Sequence, residues 1–248
     1  CKGEDRKEKL CESIEEAISI ANETPYGLSA SVITRDFNSG LAIAERIESR
    51  LEEKDQVREV AIKSTRAINR LSGSIVHMIH KKDDAMPLMH EALDEAHRLR
   101  SLLEDYPEIW ESGLVESALQ ELAEAAILMA MVKDEELPDP DDMGITGNAY
   151  MLGMADAIGE LRRFALERLR EGDVEKATEY LNLMEEMFLV IMRFDFPDAL
   201  IPIRRKQDVA RSLLEKTRGE VAVAVNSARL QKKIDELSTV NDDMKNLL

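Results

Sequence analysis

The stretch Leu114-Val115-Glu116-Ser117-Ala118-Leu119-Gln120-Glu121-Leu122-Ala123-Glu124-Ala125-Ala126-Ile127-Leu128-Met129-Ala130-Met131-Val132 decides the fold. From Leu122 to Val132 every residue except Glu124 is apolar. A helix that is apolar nearly all round has no solvent face, so it belongs in the middle of a helical bundle. Outward from it, helical period and loop signals place helices at about 41–81, 84–105, 107–133, 147–171, 173–194, 198–218 and 219–237. Lys81-Lys82-Asp83-Asp84 and Asp105-Tyr106-Pro107 separate the first three. Leu137-Pro138-Asp139-Pro140-Asp141-Asp142 makes the longest loop. Glu171-Gly172-Asp173 and Phe196-Pro197-Asp198 each read as a helix stop followed by a new N-cap. After residue 40 no strand pattern occurs, and the fold class is all-α.

The composition agrees. The chain has 248 residues, 44% hydrophobic, with only 11 Gly and 7 Pro, so strong helix formers dominate and breakers are few. Acidic residues number 50 against 33 Lys and Arg, a formal net charge of −17. Such a molecule repels nucleic acid at long range, and binding one requires a local basic surface or a metal. The two cysteines, Cys1 and Cys11, form no disulfide framework and no metal-binding spacing, which fits a reducing, cytoplasmic setting. No apolar run has the length of a membrane span.

Two helices carry carboxylates inside apolar sequence. Glu121 and Glu124 are three apart on one face, and Asp156 and Glu160 are four apart within Met151–Leu161. Buried carboxylates are costly unless neutralised. If the two helices face each other, three or four of these carboxylates converge into an all-oxygen set suited to Mg²⁺ or Mn²⁺. The plainer reading is a solvated, salt-bridged face, since Asp156, Glu160, Arg163 and Glu167 continue at helical spacing. One helix is locally basic, Ile203-Arg204-Arg205-Lys206-Gln207-Asp208-Val209-Ala210-Arg211. Arg204, Arg205, Lys206 and Arg211 either contact phosphates or balance nearby acids. His77 and His80, three apart, form a possible metal pair without a third ligand, and read as helix-surface histidines.

Three of these segments carry a resemblance. Ala118–Ala125 resembles the "LQE-x-x-EA" helix, and Ala149–Leu161 the "YLLG-x-AD-x-x-GEL" helix, of the catalytic branch of the translin family, the translin-associated factor X type. Ile203–Arg211 resembles its "LRRK-x-D" helix, and Lys216-Thr217-Arg218-Gly219 its closing "RG". Order and spacing agree over about residues 45–238, and the compact form resembles the archaeal type. The resemblance implies a seven-helix right-handed bundle, assembled as a homo-oligomer into a closed, roughly octameric shell. It implies a metal-dependent endoribonuclease acting on single-stranded RNA, with Mg²⁺ on Glu121, Glu124 and Asp156 and with Glu160 as a fourth member. The alternative is a non-catalytic translin-like oligomer that binds single-stranded RNA or DNA, and a helical scaffold is a third.

The N-terminal part differs. Glu15–Asp36 resembles a segment near the C-terminal end of aldehyde dehydrogenases, without that family's nucleophile or dinucleotide-binding domain. Leu28–Thr34 reads as a short strand. Residues 1–41 are accordingly expected to be a non-functional α/β appendage joined near residues 38–48 to a helical domain at 42–248.

Overall fold

The computed structural model describes the backbone of residues 37–246, together with Glu16, and side chains to residue 237. The expected strand at 28–34 lies outside the described residues. Within them the chain is entirely helical, in seven helices: α1 Phe37–Lys81, α2 Met86–Leu102, α3 Pro107–Trp110, α4 Gly113–Lys133, α5 Gly147–Glu171, α6 Val174–Ile191 and α7 Arg204–Asn246. None is long and apolar enough to cross a membrane.

Seven helices are found, but partitioned differently from the expectation. The segment expected at 107–133 is broken between α3 and α4, where Ser112 turns extended (φ −69, ψ 147) just before Gly113. Ser and Gly are weak in a helix interior, and the break follows from that weakness, since the Ser112 hydroxyl makes no capping hydrogen bond. The expected pair 198–218 and 219–237 is one helix, α7, beginning only at Arg204. Gly219 does not stop it. A lone interior glycine costs about 1 kcal/mol, too little to end a long helix of good formers.

The core follows the central stretch. In α4 the side chains of Leu119, Leu122, Ile127 and Leu128 are fully buried. This helix packs against both α1 and α5, while α5 in turn packs against α6 and α7. Thr146 caps α5, accepting from the Ala149 amide at 3.0 Å, and its hydroxyl donates to Glu116 of α4 at 2.9 Å, so the start of α5 is tied to its neighbour. The two helices approach closely at Gly153. A Cβ there would lie 2.6 Å from the Gln120 carbonyl oxygen, 2.7 Å from Ala123 Cβ and 2.8 Å from the Glu124 amide nitrogen. Only glycine lets the backbones meet so closely.

At its N-terminal end α1 carries a small separate apolar cluster, Ile43 and Ile47 with Leu51 against them.

A candidate acidic centre between α4 and α5

Gly153 places the site. Asp156 and Glu160 follow it at three and seven residues, on the same face of α5, and the surface it touches on α4 runs from Gln120 to Glu124. Gln120 Nε2 donates to Asp156 Oδ2 at 2.6 Å across the seam. Glu121, Glu124, Asp156 and Glu160 are thereby brought close enough to act on one another's ionisation. Burial, reinforced by the charges of Asp156, Glu121 and Glu160, pushes the Glu124 carboxyl up to about 8. Burial first and Asp156 second push Glu121 upward as well. Glu124 is half-buried and has no ion-pair partner among the described residues, unlike an acid of a solvated, salt-bridged face.

The basic helix divides. Lys206, in the first turn of α7, turns into the acidic centre, its Nζ 2.6 and 2.7 Å from the two Asp156 carboxylate oxygens, and it lowers the carboxyls of Glu121 and Glu124. Its position is held by the next residue. The buried Gln207 amide donates to the Ile191 and Phe194 carbonyls at 2.8 and 2.9 Å, pinning the start of α7 to the end of α6. The other three basic residues stay at the surface: Arg204 pairs with Asp195, Arg211 with Asp208, and Arg205 is exposed.

His80 corrects the expectation of a surface histidine. Its side chain is only 7% exposed and its Nε2 donates to Glu160 Oε2 at 2.5 Å. The ring stacks on Phe164 at 4.2 Å, and its buried Nδ1 has no protein partner. Nothing in the sequence pairs residues 80 and 160; the two meet because α1 and α5 both pack against α4. His77 shares no such contact. Arg163 lies 3.7 Å from Glu160 at the solvent edge.

Four carboxylates against the two fixed cations Lys206 and Arg163 are an all-oxygen donor set that suits a hard divalent cation in chemistry and in charge. The side chains themselves lie in an ion-paired arrangement: Asp156 is engaged by Lys206 and Gln120, Glu160 by His80. Among the described residues no three acidic, histidine or cysteine side chains converge on a common metal position.

Fold and site together define a helical-bundle protein with a partly buried acidic centre at the seam of its two central helices. The translin family profile matches residues 114–221, from α4 into α7. An uncharacterized protein of Methanocaldococcus jannaschii is 32% identical over 187 residues, covering 74% of this chain and 83% of that protein. The chain belongs to the translin family. Among solved structures, AfC3PO, alone and in a complex with duplex RNA, is 34% identical with a TM-score of 0.69, over 75% of this chain and 98% of that one. Apo-NeC3PO, 19% identical with a TM-score of 0.65, shares the fold.

A second, short match falls at the N-terminus. The aldehyde dehydrogenase family matches residues 9–50. Benzaldehyde dehydrogenase YfmT of Bacillus subtilis strain 168 is 53% identical over 38 residues, which is 15% of this chain and 8% of that protein. The matched stretch runs into α1, and the helix passes through residue 50 without a break.

Proposed function

We propose that this protein is a divalent-metal-dependent endoribonuclease of the translin-associated factor X type, working as a closed, roughly octameric homo-oligomer, with Glu121, Glu124, Asp156 and Glu160 as its acidic set. The charge imbalance of that set carries the reading. Of the four carboxylates, Asp156 is paired with Lys206 and Glu160 with His80 and Arg163, which leaves Glu121 and Glu124 without an ion pair among the described residues, and Glu124 is pushed up to about 8. Concentrated like charge at a partly buried seam is unfavourable for folding alone and is the usual mark of a functional site. Bound there, Mg²⁺ or Mn²⁺ would neutralise phosphate charge and activate water for phosphodiester cleavage.

The chain's own groups have separate parts in this reading. Glu121, Glu124 and Asp156 would hold the cation, and Glu160 is held in position by His80. Lys206 is the internal counterion of Asp156, and its ammonium would be available to substrate phosphate if a cation took its place on that carboxylate. Arg204, Arg205 and Arg211 present further cations on α7 for the backbone of the nucleic acid. The relative AfC3PO, in complex with duplex RNA, supports RNA as the ligand class. Single-stranded RNA is the proposed substrate. Residues 1–41 are read as an appendage without a part in this chemistry.

The alternative, a translin-like oligomer that binds single-stranded RNA or DNA without cutting it, is favoured by one observation: Asp156 and Glu160 already have protein partners. Incubation of the purified protein with single-stranded and with duplex RNA, each with and without Mg²⁺, separates the two. Mg²⁺-dependent internal cleavage of the single strand is expected. Retention of intact RNA at every Mg²⁺ concentration, with binding preserved, would establish the non-catalytic binder instead.

A further inference from the structure

One end of the bundle is built unlike the rest. Helix α1 stops at Lys81, α4 at Lys133 and α5 at Glu171. Each turns off through a left-handed residue: Lys82 (φ 62), Asp134 (φ 59) and Gly172 (φ 83). Amides of Asp83, Glu135 and Asp173 close back onto the Met78, Ala130 and Arg168 carbonyls at 3.0, 2.9 and 2.9 Å, which completes three capped C-termini. Where three helices end together and α6 begins, their side chains leave a cavity of about 460 Å³, within the size range of small-molecule sites.

Its wall has two kinds of surface. Met129, Val132, Phe164 and Tyr180 supply apolar and aromatic side chains, and Lys82, Lys133, Arg168 and Lys176 bring four cations from four different parts of the fold. Two acids, Asp83 and Asp173, also line it, but Asp173 is engaged in capping α6, accepting from the Lys176 amide at 3.0 Å. Of the cations, Arg168 gives one guanidinium nitrogen to Glu171 and Lys176 its ammonium to Glu179. Lys82 and Lys133 have no ion-pair partner among the described residues, and the buried Nε–H of Arg168 meets no protein acceptor. Some of this charge complements the three helix C-termini. That role accounts neither for the cavity nor for a buried guanidinium N–H left without an acceptor, which is costly.

We propose that this cavity binds a nucleoside monophosphate group, either as a free nucleotide or as the phosphorylated end of an RNA strand. A phosphate has oxygens pointing in several directions and so suits cations that approach from separate helices, while the base and sugar suit the apolar wall. Formal charge at this end is balanced, since Asp83, Asp173, Glu171 and Glu179 match the four cations, so the donors open to an anionic group are the ammoniums of Lys82 and Lys133 and the Nε–H of Arg168. The cavity begins one helical turn beyond the acidic centre, since Phe164 both lines it and stacks on His80. Its occupancy needs no metal and does not rest on the nuclease reading.

The test is calorimetric titration of the full-length protein in metal-free buffer with adenosine monophosphate, adenosine and inorganic phosphate. Adenosine monophosphate should bind about tenfold or more tightly than either fragment. Reversing Lys82 and Lys133 to Glu should weaken it by about tenfold or more, whereas the same change of charge at the exposed pair Lys63 and Arg66 should leave it within about twofold. Equal melting temperatures confirm that both variants fold. Oligonucleotides with and without a terminal phosphate then distinguish the sources: selective binding of the phosphorylated strand, abolished by Lys82→Glu/Lys133→Glu, assigns the site to strand ends, and indifference to that phosphate assigns it to the free nucleotide. No saturable binding of adenosine monophosphate up to about 10 mM, phosphate binding as tight as the nucleotide, or equal weakening in the two charge-reversed variants would each overturn the proposal.

Discussion

Helices α4 and α5 carry two charged regions of opposite sign. In their middle sit Glu121, Glu124, Asp156 and Glu160; at their C-terminal ends sit Lys133 and Arg168. Glu160 and Arg168 are eight residues apart, about 12 Å along the helix. Both terminal cations complement helix C-termini; Lys133 is exposed, whereas Arg168 is largely buried and compensated by its pairing with Glu171. The central acids lie at the seam, where burial and mutual repulsion raise Glu121 and Glu124. Charge at a helix end can serve the helix; like charge at the seam between two helices works against the fold and asks for a ligand.

The largest effect is expected from deleting an acid. Asp156→Ala or Glu121→Ala should slow RNA cleavage by about 10²-fold or more. RNA binding and metal-free folding should be unimpaired, because a repulsive charge leaves with the ligand. An Asp156→Ala protein that cleaves at the normal rate would reduce the centre to a structural ion-pair network. Next in size is Gly153→Ala, which must push Gln120 and Glu124 away from α5. It should cost about 2–3 kcal/mol in urea unfolding, whereas Ala at Gly219, where nothing lies within 4 Å, should be neutral or stabilising.

Glu124→Gln sharpens the contrast through pH. The folded-state carboxyl is raised to about 8 from 4.5, so the folded protein holds this proton more tightly than the unfolded chain does. Its contribution to stability is therefore complete below about pH 4.5 and is lost as pH rises through 8. Relative to the parent, Glu124→Gln should be level near pH 4 and more stable at pH 9 by on the order of 2 kcal/mol, discounted for partial exposure. Thermal melts at the two pH values measure it, and a constant difference would show that Glu124 is not held in a repulsive cluster. Arg204→Glu with Arg205→Glu should have a smaller effect, lowering the magnitude of the salt slope of RNA binding by about 1 for each phosphate no longer neutralised. An unchanged slope would assign both to the surface pairing seen for Arg204. The smallest change is expected from a chain beginning at residue 42, which should remain helical and oligomeric by circular dichroism and light scattering. Dissociation of the oligomer would make residues 1–41 part of the domain.

Much of the fold was legible because periodicity and breakers are local. Leu122–Val132 marked a central helix, and Gly172-Asp173 marked a stop and a start that the structure realises as the C-cap of α5 and the N-cap of α6. The misreadings were local competitions. Gly219 looked like a stop and is carried within α7, while Ser112 looked like helix interior and is extended. The two acidic pairs were legible as well, since spacing puts each on one face. What spacing left open was whether those faces look at water or at each other.

The sequence by itself determined the class of the molecule: an apolar helix that only a bundle can cover, acids and bases at helical spacing, and motifs in the order of the translin family. The tertiary structure alone decided which charges meet. Gly153 lets α4 and α5 approach closely enough for four carboxylates to interact. Gln207 anchors α7 so that Lys206 reaches Asp156 rather than solvent, and the packing of α1 buries His80 against Glu160. The Gln120–Asp156, Lys206–Asp156 and His80–Glu160 pairs join residues 36, 50 and 80 positions apart, and helical period carries no information about such meetings. Helix formation is a property of neighbours along the chain, whereas burial, repulsion and pairing belong to neighbours in space.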